Sequence, residues 1–176
     1  KNTDRSNSLW MTPIEGSKAL FVTEDPLDAI AHSQLFPGAR YAYFCTGGTS
    51  TKAQREMIHS FSQKFKLPII LGNDNDLAGQ LENFKLALHT ANIEYAINSK
   101  TQRVLLTVNG AEREWGKDEI VAALQAVMKQ RPNIILSIPW AKDWNDDLRS
   151  SKKSISLRIA ENMAPVQIET NKTEQR

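Results

Sequence analysis

Short apolar runs alternate with longer stretches of helical period over the first half of the chain. Ala19 to Val22 read as a compact apolar strand. Asp25-Pro26 then marks a helix start, because aspartate caps well and proline suits the first helical position. That helix is expected to carry Leu27, Ile30 and Ala31 inward and to end near Pro37-Gly38. Tyr41 to Cys45 form the next strand, broken by Gly47-Gly48. Thr49, Ser50 or Thr51 caps a second helix with Met57, Ile58, Phe61 and Phe65 on one face. Pro68 to Leu71 make a third apolar strand, and Leu77, Leu81, Phe84 and Leu88 mark the inward face of a third helix. This alternation predicts βαβ units, hence an α/β fold with a parallel sheet and helices on both faces.

The pattern changes after Asn92. Tyr95 to Ile97 fit a strand, and Val104–Val108, Asn109-Gly110 and Ala111–Trp115 carry a strong hairpin signal. A helix follows with Ile120, Val121, Leu124 and Met128 aligned, then a strand over Ile134 to Ile138. The reading is one domain over residues 1–150, with residues 99–133 as a β-hairpin plus helix inserted before the last core strand. Lys1 to Ser8 are polar and expected to be loose. Residues 151–176 form a C-terminal extension: an amphipathic piece with Ile155, Leu157 and Ile159, then a polar tail from Glu169.

Composition narrows the class. With 176 residues, 40% apolar and 24% charged, the chain can bury a real core. Its net charge of +2 advertises no strong basic field, so contact with nucleic acid must come from local patches or a metal. The single cysteine, Cys45, excludes an internal disulfide framework and suits a reducing cytoplasm. No apolar run approaches the roughly 20 residues that cross a bilayer, so no membrane is expected. A start at Lys1 rather than Met is expected of a domain cut from a longer protein, whose other domains would be its partners.

The candidate chemistry is acidic. Glu24 lies in FVTEDPLDAI, Asp74 and Asp76 in IILGNDNDLAG, and Lys142 to Asp147 in AKDWNDDL. The first two follow apolar strands and precede helices, which puts the carboxylates at C-terminal strand ends, where open α/β sheets bind ligands. Crowded carboxylates repel unless a cation lies between them, and all-oxygen ligation suits magnesium better than zinc. Each feature also has a plainer reading. Asp76 can simply cap a helix, with Asp74 in a solvated turn, and Glu24 can be a cap or surface group. Asp143 or Asn145 can cap a polar helix start. Gly47-Gly48-Thr49 stands between strand and helix, where backbone amides can approach a phosphate, although many βα turns hold glycine. Lys142 can neutralise a phosphate. His32, His59 and His89 lie on separate helices without zinc-like spacing, and Cys45 reads as a small buried hydrophobe.

Taken together, TEDPLDAI, TGGTS and GNDNDLAG resemble the glutamate motif, glycine turn and Asp-x-Asp motif of the Toprim domain. That is the metal-binding catalytic module of bacterial primases, topoisomerases, overcoming-lysogeny-type nucleases and recombination-mediator proteins. With NSLWMTP near the start and SIPWAKDWNDDL near the end, the chain looks closest to primase-like Toprim proteins of plasmids and conjugative elements. The resemblance covers about residues 9–150. It departs at Asp25, where the family often has glycine or serine, and at the inserted hairpin and helix.

The resemblance implies a Toprim-like Rossmannoid sheet and roles for particular residues. Glu24 would be the general acid or base, and Asp74, Asp76 and Glu24 the metal-binding residues for Mg2+, with Mn2+ able to substitute. Lys142 and Asp143 would be the late basic–acidic pair in catalysis, and Gly47, Gly48, Thr49 and Asn145 would contact phosphate or nucleotide. The implied function is nucleotidyl transfer on DNA as part of a DNA primase in replication or transfer of a mobile element. Its partners would be a single-stranded template or nicked strand and nucleoside triphosphates. Two alternatives stand beside it: a Toprim-type metal-dependent nuclease, and a non-catalytic module that binds DNA or protein. A topoisomerase is disfavoured, because strand passage needs a tyrosine-bearing partner domain and a gate.

Overall fold

The capping residues mark where the backbone turns from strand to helix. In the computed structural model, which describes residues 7–100, 103–108, 111–150 and 155–157, five helices and nine strands follow one another. Strands β1 (Trp10–Met11), β2 (Ala19–Thr23), β3 (Tyr41–Cys45), β4 (Ile69–Leu71) and β8 (Ile134–Ile138), with β9 (Ile155–Leu157), form one sheet in the order β1-β3-β2-β4-β8-β9. Strands β5 (Tyr95–Lys100), β6 (Arg103–Val108) and β7 (Ala111–Trp115) form a separate antiparallel sheet. The helices are α1 (Pro26–Leu35), α2 (Lys52–Phe65), α3 (Leu77–Thr90), α4 (Lys117–Gln130) and α5 (Trp144–Arg149).

The fold is α/β, and the main sheet is mixed rather than wholly parallel. Its centre, β3-β2-β4-β8, is parallel, whereas both edges run antiparallel: β1 against β3 and β9 against β8. Antiparallel edge strands on a parallel core are a common closure of such sheets. Residues 155–157, expected to lie outside the domain, therefore belong to its sheet. Of the stretch Lys1 to Ser8, expected to be loose, residues 1–6 lie outside the described residues, as do Asn109, Gly110, Ile159 and the residues from Glu169.

Alternate residues of the central strands feed two cores. Leu20, Val22, Phe44, Ile69, Leu71, Ile134 and Leu136 pack with Ile58 of α2, Leu81, Phe84 and Leu88 of α3, and Ile120, Leu124 and Met128 of α4. Phe21, Tyr43, Cys45, Ile70 and Ile135 pack on the other face with Ala29 and Ala31 of α1 and Trp144 of α5. Helices cover both faces, as expected. The helix of the 99–133 segment is part of the principal core, and β5 turns the expected hairpin into a three-stranded sheet.

One helix is rotated from the expected face. In α1, Leu27 and Ile30 are 62% and 44% exposed, while Asp28, Ala29, Ala31 and His32 are buried. The physical reason lies in the packing opposite. Phe21, Tyr43 and Trp144 offer an aromatic wall with polar edges, and His32 fits it by ring contact and a 2.9 Å hydrogen bond between Nδ1 and the Tyr43 hydroxyl. Burial drives the His32 pKa down to about 3, so the imidazole is neutral.

Among the described residues, no helix is long and apolar enough to cross a membrane.

Candidate functional site

Each candidate carboxylate sits at the C-terminal edge of the parallel strands, and each is held there by local chemistry. Glu24 follows β2. Asp25 caps α1, its Oδ1 accepting from the Leu27 amide at 2.7 Å, while Pro26 occupies the first turn. Asp76 caps α3 through Oδ1, which accepts from the Gly79 amide at 2.9 Å. Its other oxygen, Oδ2, lies 3.9 Å from the Lys142 ammonium. Capping and ligation are therefore not rivals at Asp76, because they use different oxygens. Asp143 caps α5 through Oδ1, which accepts from the Asp146 amide at 2.8 Å.

Asp74 is placed by backbone packing. Its carbonyl accepts from the Gln80 side chain at 2.9 Å, and Gly79 lies directly against its main chain. The loops after β4 and β8 are tied to each other: the Asn75 amide donates to the Lys142 carbonyl at 2.7 Å. The Trp144 indole N–H donates to the Gly72 carbonyl at 2.7 Å. Gly72 must be glycine, since a Cβ there would stand 2.2 Å from the Phe21 ring.

The carboxylates feel one another. Burial and the charges of Asp28, Glu24, Asp76 and Asp143 push Asp74 up to about 7. Burial, then Asp76 and Glu82, raise Glu24, against the opposing pull of Lys142. Thus Glu24, Asp74, Asp76, Lys142 and Asp143 form one electrostatic unit. Such a donor set, all oxygen and short of positive charge, fits a hard hydrated cation. Among the described residues, no three His, Cys, Asp or Glu are grouped closely enough to hold an ion directly.

Asp28 was not singled out from the sequence, yet it belongs here. It is 5% exposed and, through burial and the nearby Asp143 and Asp25 charges, its pKa rises to about 6. Asn145, expected at phosphate, donates its Nδ2 to Asp28 Oδ1 at 2.9 Å instead. The available signal was position: Asp28 is an acidic residue in the first turn of the helix that Asp25 caps.

The glycine turn is open and anchored from behind. Gly47 and Gly48 have φ of +71° and +117°, which L side chains rarely adopt. The Gly47 amide is engaged by the Glu24 carbonyl at 2.8 Å, so it continues the strand pairing rather than pointing to a phosphate. Thr49 is exposed, and Thr51 caps α2 in a capping box with Gln54. Buried Glu82 accepts from both the amide and the hydroxyl of Ser50, at 2.9 and 2.6 Å. Gln80, Glu82 and Asn83 thus form a buried polar row on α3 that supports the site loops. Their sequence signal was the run of polar residues beside Leu81 and Phe84 on one helix.

Cys45 is buried against Thr23 and its thiol is pushed up to about 12, which excludes a thiolate nucleophile at neutral pH. Comparison of the chain with protein-family models, with curated proteins and with solved structures finds no match.

Proposed function

We propose that this chain is a Toprim-type module that performs magnesium-dependent nucleotidyl transfer on DNA, within a primase-like protein serving replication or transfer of a mobile element. One observation carries the reading. Asp74 is raised to about 7 partly by Glu24, Asp76 and Asp143, so carboxylates from three separate loops converge on one sheet edge. Convergence of this kind is costly in the free protein and is relieved by a cation.

Asp74 and Asp76 would hold hydrated Mg2+ or Mn2+ beside Glu24, and the cation would supply charge neutralisation at the oxygens of a transferring phosphoryl group. Lys142 is exposed beside Asp76, and its ammonium would attract the substrate phosphate. Glu24 is half-buried, and burial first, then the neighbouring Asp76 charge, raises its pKa above the ordinary carboxylate value, the direction that suits a general acid or base. Asp28 and Asn145 brace α1 against α5 behind these groups. A cytoplasmic setting accords with the buried, reduced Cys45.

The test is template-directed incorporation of labelled ribonucleotides on single-stranded DNA by the parent protein. Incorporation with magnesium that is lost in the Asp74→Asn, Asp76→Asn double variant supports the proposal. Metal-dependent nicking without incorporation moves the function to a nuclease. DNA binding indifferent to all three carboxylates moves it to a non-catalytic module.

A further inference from the structure

Trp140 is 56% exposed, and its indole stacks on no other ring among the described residues. Single exposed apolar side chains are common on protein surfaces and need no explanation. What distinguishes this one is how firmly its backbone is held and to what. Asp147, wholly buried, accepts from the Trp140 amide and the Ala141 amide, each at 2.7 Å. On either side, the Asn75 side chain donates to the Pro139 carbonyl at 3.2 Å, and the Asn75 amide donates to the Lys142 carbonyl at 2.7 Å. Asn75 stands between Asp74 and Asp76. The loop that presents the indole is thus pinned to the loop that presents the carboxylates, with Lys142 two positions on.

We propose that Trp140 is the stacking platform for a nucleobase of the substrate, one whose phosphate reaches Lys142 and the carboxylate edge. This deepens the phosphate-chemistry reading of that edge and rests on it. The backbone beneath the indole is already ordered, so its ordering adds no further cost when a planar ring settles on the exposed side chain. Every base has a π-face, so stacking tolerates any sequence. A cation beside an aromatic surface is the pairing that single strands and nucleotides use, charge to the phosphate and ring to the base.

The experiment compares the chain with Trp140→Ala and Trp140→Phe by fluorescence anisotropy in magnesium. The probes are a short labelled oligothymidylate, an abasic strand of equal length, and thymidine triphosphate as competitor. The alanine variant keeps the backbone amide that Asp147 holds, so the loop stays anchored. Stacking requires Trp140→Ala to weaken the oligothymidylate by about tenfold or more. Trp140→Phe should recover most of that loss, and the abasic strand should bind all three proteins alike. Equal weakening of triphosphate competition assigns the stacked base to the free nucleotide. Weakening of the strand alone assigns it to the nucleic acid. Unchanged binding of strand and triphosphate in Trp140→Ala, or equal loss with the abasic strand, overturns the stacking role. Asp74→Asn with Asp76→Asn is the separate control. If it leaves magnesium dependence intact while Trp140→Ala still weakens binding, the carboxylate reading fails and the platform stands. A wild-type chain that binds no probe overturns both.

Discussion

Gly79 lies so close to Asp74 that a methyl group on it would meet the Asp74 carbonyl oxygen at 2.3 Å and the Asp74 nitrogen at 2.7 Å. The neighbour is backbone, so it cannot swing aside. Gly79→Ala sets two effects against each other. Alanine gains about 1 kcal/mol in helix propensity, whereas overpacking costs about 1–3 kcal/mol. The clash should win, lowering stability and displacing the Asp74 loop. Urea unfolding should show a lower midpoint together with weaker manganese binding. A raised midpoint with unchanged binding would mean that the loop yields freely.

Asp74 is raised to about 7, Asp28 to about 6, and Glu24 is also raised. In each, the native state holds the proton more tightly than the unfolded chain does. The stabilising contribution of Asp28 and Asp74 is complete below the unfolded carboxylate range, near pH 4, and is lost as pH rises through about 6–7; Glu24 acts in the same direction. Metal-free protein should therefore lose thermal stability between about pH 4 and about pH 7, and magnesium should restore it at the upper end. His32 acts in the opposite sense, since its lowered pKa removes stability as pH falls below about 6.5. Comparison with Asp74→Asn isolates the carboxylate term. Melting curves whose slope against pH is the same in that variant would refute the assignment. Magnesium affinity should itself fall with pH below about 7, because proton and cation compete for Asp74.

Glu24→Gln retains size and hydrogen-bonding capacity but cannot accept a proton near neutral pH. If Glu24 moves the proton, turnover should drop by about 10²–10⁴-fold with little change in metal affinity. A loss of affinity that excess manganese rescues would reassign Glu24 to metal binding. Full turnover at ordinary magnesium would remove it from the mechanism.

Asp147 accepts two backbone amides with its two carboxylate oxygens. Asp147→Asn leaves one acceptor oxygen and sets an amide group against the other N–H. The cost should be about 1–3 kcal/mol of stability in chemical denaturation. The Trp140 loop should also loosen, which amide hydrogen exchange at Trp140 and Ala141 would report. Wild-type protection there would show that the loop holds without this anchor.

The order of the central elements was legible in the sequence for a local reason. Apolar runs at Ala19, Tyr41, Ile69 and Ile134 are too short for helices, and Asp25, Thr51, Asp76 and Asp143 each satisfy amides at the helix starts that follow. The same positions identified the carboxylate edge, because strand ends and helix starts meet there. Local chemistry also sufficed for Cys45, where a small apolar side chain in a strand is buried.

Tertiary packing decided the rest. Leu27 and Ile30 satisfy a helical period as well as Ala29 and His32 do, so periodicity could not select the inner face of α1. The aromatic wall of Phe21, Tyr43 and Trp144 selected it. Asp28 and Asn145, 117 positions apart, meet only because α1 and α5 share a face of the sheet. The antiparallel edges β1 and β9 depend on which way the chain returns to the sheet, which no residue in those short strands encodes. The charge state of Asp74 depends on Asp28, Glu24, Asp76 and Asp143 together. The identity of each charge is written in the chain, but Coulomb energy falls with distance, and distance belongs to the fold.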